Sequence, residues 1–198
     1  VYDFNPGWRF FKGDISGAET VNFDDRSWEV VSTPHTVELM PAEASGCRNY
    51  QGPVWYRKHF VVPAETKGQR VSIHFEAAMG KQILYLNGKR IQEHIGGYLP
   101  FTLDLTTYGV QAGDSCLLAV FVDNSDDKSY PPGKRQYTLD FTYHGGIYRD
   151  VWMIAKSPVA ITDAIDSQIV GGGGVFVHFD KISEKSAQVC VNTEVQNE

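Results

Sequence analysis

Asp140-Phe-Thr-Tyr-His-Gly-Gly-Ile-Tyr-Arg-Asp-Val-Trp-Met-Ile154 joins a buried-strand pattern to an acidic residue that no strand requires. From Gly146 onward, Ile147, Val151 and Ile154 with Tyr148 and Trp152 make the β-branched and aromatic run of a largely buried strand. The pair Gly145-Gly146 reaches positive-φ torsions that other residues adopt only at a cost, which lets the chain turn into that strand. Asp140 and His144 are therefore expected at the mouth of a sheet rather than within it.

On either side of this stretch, short extended segments recur with turn signals between them. They run from Val54 to Val62, Arg70 to Phe75, Gln82 to Leu86, Lys89 to His94, Leu99 to Leu105, Ser115 to Val122, and Ile147 to Ile154. Asn87-Gly88, set between Ile83-Leu-Tyr-Leu86 and Lys89-Arg-Ile91, marks a hairpin, because both central positions of a type I′ turn need φ above zero. No stretch of a dozen residues holds a clean 3.6-residue apolar period, which disfavours helices beyond short turns. The pattern predicts an all-β chain with a jelly-roll β-sandwich over residues 1–157. Ser157-Pro158 reads as a boundary, followed by strand candidates Val159 to Gln168, Gly174 to Phe179 and Ala187 to Val195, with a turn or flexible link at Gly171 to Gly174. Residues 158–198 are expected to begin a second sandwich and leave it incomplete, since a seven-stranded one takes about 100 residues.

The chain has 198 residues, of which 42% are apolar and 13% aromatic, ample for a packed core. Its net charge of −6 argues against nucleic acid or anionic lipid, both of which demand clustered Lys and Arg. No apolar run approaches the roughly 20 residues of a membrane helix, and no charged-then-apolar leader opens the chain. Val1 in place of Met suits either a mature secreted form or a trimmed one, and a periplasmic or secreted location is favoured slightly over a cytoplasmic one. Cys47, Cys116 and Cys190 are odd in number and lack C-x-x-C spacing, so neither a metal site nor a dense disulfide framework is expected.

Two connections, 32–53 and 123–140, exceed the dozen or so residues beyond which a loop in a compact domain is usually functional or disordered. Pro131-Pro132 with Tyr130 and Tyr137 argue for a stiffened second loop, and function is the expectation for both.

The Asp140-Phe-x-x-x-Gly-Gly-Ile-Tyr-Arg-Asp-Val151 pattern resembles the signature of the sugar-binding domain of glycoside hydrolase family two, the β-galactosidase and β-glucuronidase group. The resemblance extends, in the family's order, through Asp25-Arg-Ser-Trp28, Thr33-Pro-His35, Gly52-Pro-Val-Trp-Tyr-Arg-Lys58, Tyr85-Leu-Asn-Gly88 and Val122-Asp-Asn124. It implies a jelly-roll sandwich first, an immunoglobulin-like domain beginning near residue 158, and a catalytic (β/α)8 barrel beyond. Members of the family are retaining enzymes, which need two carboxyl groups about 5 Å apart. No segment here resembles the barrel motifs that carry them, so the chain is expected to be inactive alone.

By the same resemblance Asp140 binds glycone hydroxyls of a β-galactoside, directly or through sodium, and sodium or magnesium stays open for the full-length enzyme. A carboxylate accepts up to about four hydrogen bonds, which suits an array of hydroxyl donors; the alternative is a carboxylate capping the Gly145-Gly146 turn. Asn49 matches a sugar-binding Asn that the family places just before its G-x-x-W-Y-R strand, and an amide both donates and accepts as a hydroxyl does. The competing reading is a loop Asn that bonds its own backbone. His35 resembles a structural histidine of the family, while Trp55, Tyr56 and Trp152 read as core. Arg135 and Tyr137 read equally as aglycone contacts or solvated loop residues, and Glu76 as structural. β-Glucuronidase and β-mannosidase specificities stay open, as does an oligomeric full-length protein. The rivals are a free-standing carbohydrate-binding module and a scaffold that never touches sugar.

Overall fold

A computed structural model describes residues 1–40, 49–129, 133–141, 144–165, 167 and 169–197. Cys47, Tyr130, Pro131 and Pro132 lie outside the described residues, so the expectations placed on them are not addressed.

The strands are β1 (Tyr2–Asp3), β2 (Trp8–Lys12), β3 (Glu29–Val31), β4 (Pro53–Val61), β5 (Arg70–Phe75), β6 (Gly80–Leu86), β7 (Lys89–Gly96), β8 (Phe101–Asp104), β9 (Ser115–Asp123), β10 (Val151–Lys156), β11 (Val159–Ile161), β12 (Val175–Asp180), β13 (Gln188–Thr193) and β14 (Val195–Asn197). A six-stranded antiparallel sheet in the order β3-β2-β4-β9-β6-β7 packs on a four-stranded one in the order β1-β10-β5-β8. The expected all-β sandwich is therefore present. β11 pairs with β14 and β12 with β13, forming two small ribbons.

Period-two alternation assigns the side chains. Val54 and Tyr56 of β4 and Cys116, Leu118, Val120 and Val122 of β9 point inward, where they meet Ile73, Phe75, Leu103, Val151 and Met153 of the second sheet. The outer face of the six-stranded sheet is also covered. Trp55 and Ala119 lie there under a cap made by the segment between β2 and β3, with Ala18 and Trp28 buried and Ile15 and Phe23 packed against them. That is why β9 reads Cys-Leu-Leu-Ala-Val without polar alternation.

The cap is held by Arg57, whose side chain is fully buried. Its Nε donates to Asp25 Oδ2 at 2.8 Å, and its Nη atoms donate to the carbonyls of Ala18, Thr20 and Phe23. Asp25 also meets His59 Nε2 at 2.9 Å. Trp55 Nε1 donates to Asp14 Oδ1 at 3.0 Å.

The Asn87-Gly88 hairpin forms as expected, with φ of 50° and 84° at the two central residues. Other expectations need correction. Strand β10 starts at Val151 rather than Ile147, because the Ile147 amide faces the Tyr56 hydroxyl at 3.4 Å and its carbonyl accepts from His35 N at 2.8 Å. Trp152 is only half-buried and donates to Glu76 Oε1 at 2.9 Å, so it is not a core residue. The strand expected from Val159 ends at Ile161. Strands β1, β2 and β3 were not anticipated.

Lys58, on the inward face of β4, is 8% exposed; its ammonium donates to the Pro6 carbonyl and lies 4.4 Å from the Phe4 ring centroid. Burial lowers its pKa to about 8, partly offset by Asp3. Between about pH 8 and the ordinary lysine value near 10.4, the unfolded chain binds more protons, so this residue's contribution to stability rises with pH across that window. Urea midpoints measured at either end of the window should rise for the parent relative to Lys58→Met. Parallel curves for the two proteins would refute the shift.

Candidate binding site at one end of the sandwich

Strand register brings the two long connections together. Pro53, the first residue of β4, pairs with Asp123, the last of β9, and Asp123 pairs with Lys81 near the start of β6. The chain entering β4 from Asn49 and the chain leaving β9 toward Asp140 therefore share one end of the sandwich. Segment 35–37 joins them, since Val37 N donates to Gly145 O at 3.2 Å.

Asn124 ties this end. It is 4% exposed; its Oδ1 accepts from Gly52 N at 3.0 Å, its Nδ2 donates to Tyr50 O at 2.8 Å, and its backbone carbonyl accepts from Gln136 Nε2 at 3.0 Å. Asp126 Oδ1 accepts from both Gln136 N at 3.0 Å and Gln51 Nε2 at 3.3 Å, which laces the loops a second time. Every donor and acceptor of the Asn124 side chain that these loops use is an amide matched to an amide, as a buried Asn requires.

The two glycines permit close approach. A Cβ on Gly145 would lie 2.5 Å from Asn124 Nδ2, and one on Gly146, at φ +92°, would overlap the Tyr56 hydroxyl. Tyr56 in turn meets His35 Nδ1 at 2.8 Å, and His35 packs 4.6 Å from the Phe10 ring. Burial pushes the His35 pKa down, with Glu29 opposing only in part. Its ring nitrogen and backbone are both committed inside the fold, in accord with the structural role expected from the sequence.

Asp140 is exposed, just past a short 3₁₀ turn at Gln136–Thr138. Two aromatic neighbours in sequence, Tyr137 and Phe141, are 45% and 47% exposed, and Arg135 Nη1 donates to Tyr137 Oη at 2.8 Å. Asn49 is half-buried, and its Oδ1 is buried with no hydrogen-bond partner among the described residues. The same holds for Gln136 Oε1, on a residue 5% exposed. The sequence reading singled out neither Gln136 nor the tying role of Asn124; only the Val122-Asp-Asn124 pattern pointed there.

This arrangement offers hydrogen-bond acceptors: one exposed carboxylate and two buried amide oxygens without partners among the described residues. Among the described residues, the cluster of three His, Cys, Asp or Glu donors close enough to share an ion lies on β12 and β13, not at Asp140. Among the described residues, no cluster of three such donors stands beside Asp140 to hold a sodium or magnesium ion. No described helix is long and apolar enough to cross a membrane.

The profile of the family described as "Glycosyl hydrolases family 2, sugar binding domain" matches residues 11–158. A β-glucuronidase of Formosa agariphila is 34% identical over all of this chain, which covers 21% of that protein. A β-galactosidase of Thermoanaerobacter pseudethanolicus is 34% identical over 98% of the chain, covering 24% of its length. Among solved structures, Bacteroides uniformis β-glucuronidase 2, covalently bound to cyclophellitol-6-carboxylate aziridine, superposes with a TM-score of 0.82 at 31% identity, over 99% of this chain and 22% of that one. The chain thus spans between a fifth and a quarter of the length of these relatives.

Proposed function

The chain belongs to glycosyl hydrolase family 2, through the sugar-binding domain matched by residues 11–158, and from that premise we propose that it walls the glycone pocket of a longer retaining glycosidase without carrying the catalytic carboxylates. Asp140 and Asn49 are the sugar-binding residues in this reading. The observation that carries it is the buried Oδ1 of Asn49, without a partner among the described residues, at the same end of the sandwich as the exposed Asp140. A buried acceptor left unpaired costs about 1–3 kcal/mol, and a sugar hydroxyl relieves that cost on binding.

The substrate is a β-galactoside in this proposal. A carboxylate at Asp140 suits a neutral glycone, because a uronate placed about 4 Å away would meet like-charge repulsion of about 4 kcal/mol at an effective dielectric near 20. The second reading, a β-glucuronide, draws on the relatives that bear that name; it requires a cation beside the uronate. Residues 158–198 are proposed as the start of an immunoglobulin-like sandwich. In support, the family profile ends at 158, the ribbons β11-β14 and β12-β13 pair among the described residues only within themselves, and Val175, Val177, Phe179, Val189 and Val191 share one half-exposed apolar face.

In the full-length enzyme, Asp140→Ala should lower kcat/KM for an aryl β-galactoside by about ten- to hundredfold, the equivalent of roughly 1.5–3 kcal/mol of charge-assisted hydrogen bonding, with the thermal midpoint unchanged. Unchanged kinetics would demote the domain to scaffold. A preference for aryl β-glucuronide that grows on loss of the carboxylate would establish the second reading. The 198-residue chain by itself should neither hydrolyse nor saturably bind these sugars, whereas a free-standing module would bind.

A further inference from the structure

The ribbon β12-β13 has two unlike faces. One is the apolar set described above; the other carries His178, Asp180 and Cys190. His178 and Cys190 are direct cross-strand partners, and Asp180, two residues along β12, projects from the same face. Cys190 Sγ lies 3.5 Å from Asp180 Oδ2, and His178 Nε2 lies 3.8 Å from the same oxygen. One ligand atom from each residue falls within 4.8 Å of the other two.

We propose that His178, Asp180 and Cys190 bind a borderline-soft divalent cation, zinc in the first instance, at a three-ligand site with an open fourth position. Zinc takes sulfur at about 2.3 Å and nitrogen or carboxylate oxygen at about 2.0–2.1 Å, so ligand atoms of a tetrahedral site stand about 3.3–3.5 Å apart. The two short sides of this triangle are already near that spacing, and the third closes with a small side-chain rotation. An N, O and S donor set of this kind selects zinc over magnesium or calcium, which take oxygen alone.

The bland alternative is a surface cluster in which the thiol donates to the Asp180 carboxylate. Against it stands the imidazole: Nδ1 of His178 is buried and has no hydrogen-bond partner among the described residues, so the ring is not held as a structural hydrogen-bonding group. Among the described residues its ring neighbour is Phe176, at 5.7 Å. Binding is balanced by one proton, the thiol hydrogen released to solvent as Cys190 becomes a thiolate; the carboxylate and thiolate then neutralise the 2+ charge. The site faces away from the apolar side of the ribbon, so covering that side leaves the cluster accessible. Linear spacing hides this site, because Cys190 is brought to His178 and Asp180 only by the antiparallel pairing.

Titration of the full 198-residue chain with cobalt(II), kept reduced by a phosphine, should show one saturable site with thiolate-to-cobalt charge-transfer absorption in the near ultraviolet, displaced by zinc. Cys190→Ser should abolish that absorption. Removing a direct ligand costs at least what an outer-shell change does, so His178→Ala should weaken binding by about 10–100-fold or more. Cys47→Ser and Cys116→Ser should leave both readouts unchanged. Circular dichroism of the exposed-site variants should match the parent, separating lost ligands from lost fold. Absorption that survives Cys190→Ser or follows Cys47, affinity indifferent to His178→Ala, or no saturable binding at all would overturn the proposal.

Discussion

Replacing Arg57 by Met should destabilise the protein by about 3–5 kcal/mol, the scale expected when one partner of a buried ion pair is removed and the other is left uncompensated. The guanidinium is fully buried and serves four acceptors at once: the Asp25 carboxylate and the carbonyls of Ala18, Thr20 and Phe23. Met fills the stem but leaves all three carbonyls and a nearly buried carboxylate behind, with His59 alone among the described side chains still bonded to the Asp25 carboxylate. Amide exchange should therefore accelerate first in the cap between β2 and β3, before the strands open. Asp25→Asn should couple to Arg57→Met by about 0.5–3 kcal/mol in a double-mutant cycle. Desolvation raises the Asp25 pKa, but the bonds from Arg57 and His59 outweigh it and leave the carboxyl below its ordinary value. Its contribution is thus complete above the unfolded carboxylate pKa near 3.9 and is lost as pH falls through the folded value. A urea midpoint for Arg57→Met equivalent to less than about 1 kcal/mol of loss would show that the cap is held by its aromatic packing instead.

Local chemistry was legible in the sequence, and long-range chemistry was not. The Asn87-Gly88 turn needs only its own two torsions, so the residues announce it. Arg57 and Asp25 each sat in a quoted pattern, yet 32 residues separate them and nothing local says they pair. Strand β2, Trp8–Lys12, escaped notice because the cap covers its outer face, placing Phe11 on Trp28 just as Phe10 sits in the main core. Alternation disappears when both faces are buried. Ile147 was read as strand for the converse reason: its composition is that of a strand, but its backbone partners, Tyr56 Oη and His35, come from elsewhere in the fold.

The same limit shaped the site. Asp140 and Asn49 stand out as candidates because they sit in recognisable patterns. Gln136 and the tying role of Asn124 depend on Gly52, Tyr50 and Asp126, contacts between loops that meet only when β4 and β9 pair. A polar residue in a long loop does not disclose whether its partners are water, backbone or ligand.

Gly146→Ala should be nearly as costly as the loss of Arg57, and its effect should reach the site. At φ +92° a non-glycine residue is strained by about 1–2 kcal/mol. The new Cβ would also overlap the Tyr56 hydroxyl and sit 3.1 Å from the His35 carbonyl oxygen. Overpacking of a filled interior adds about 1–3 kcal/mol, so the sum is about 2–5 kcal/mol. Neither neighbour yields easily, since Tyr56 is fully buried and bonded to His35 Nδ1. Gly146→Ala with Tyr56→Phe separates the two causes. Removing the hydroxyl should recover the overlap part of the loss and leave the torsional part. Because Gly145 packs against Asn124 and Val37, movement of this turn is transmitted to the loops that carry Asn49 and Asp140. On the proposed function, Gly146→Ala in the full-length enzyme should accordingly raise KM at temperatures where the protein stays folded. If KM were unchanged while stability fell by the expected amount, the turn would support the fold without positioning the proposed sugar-binding residues.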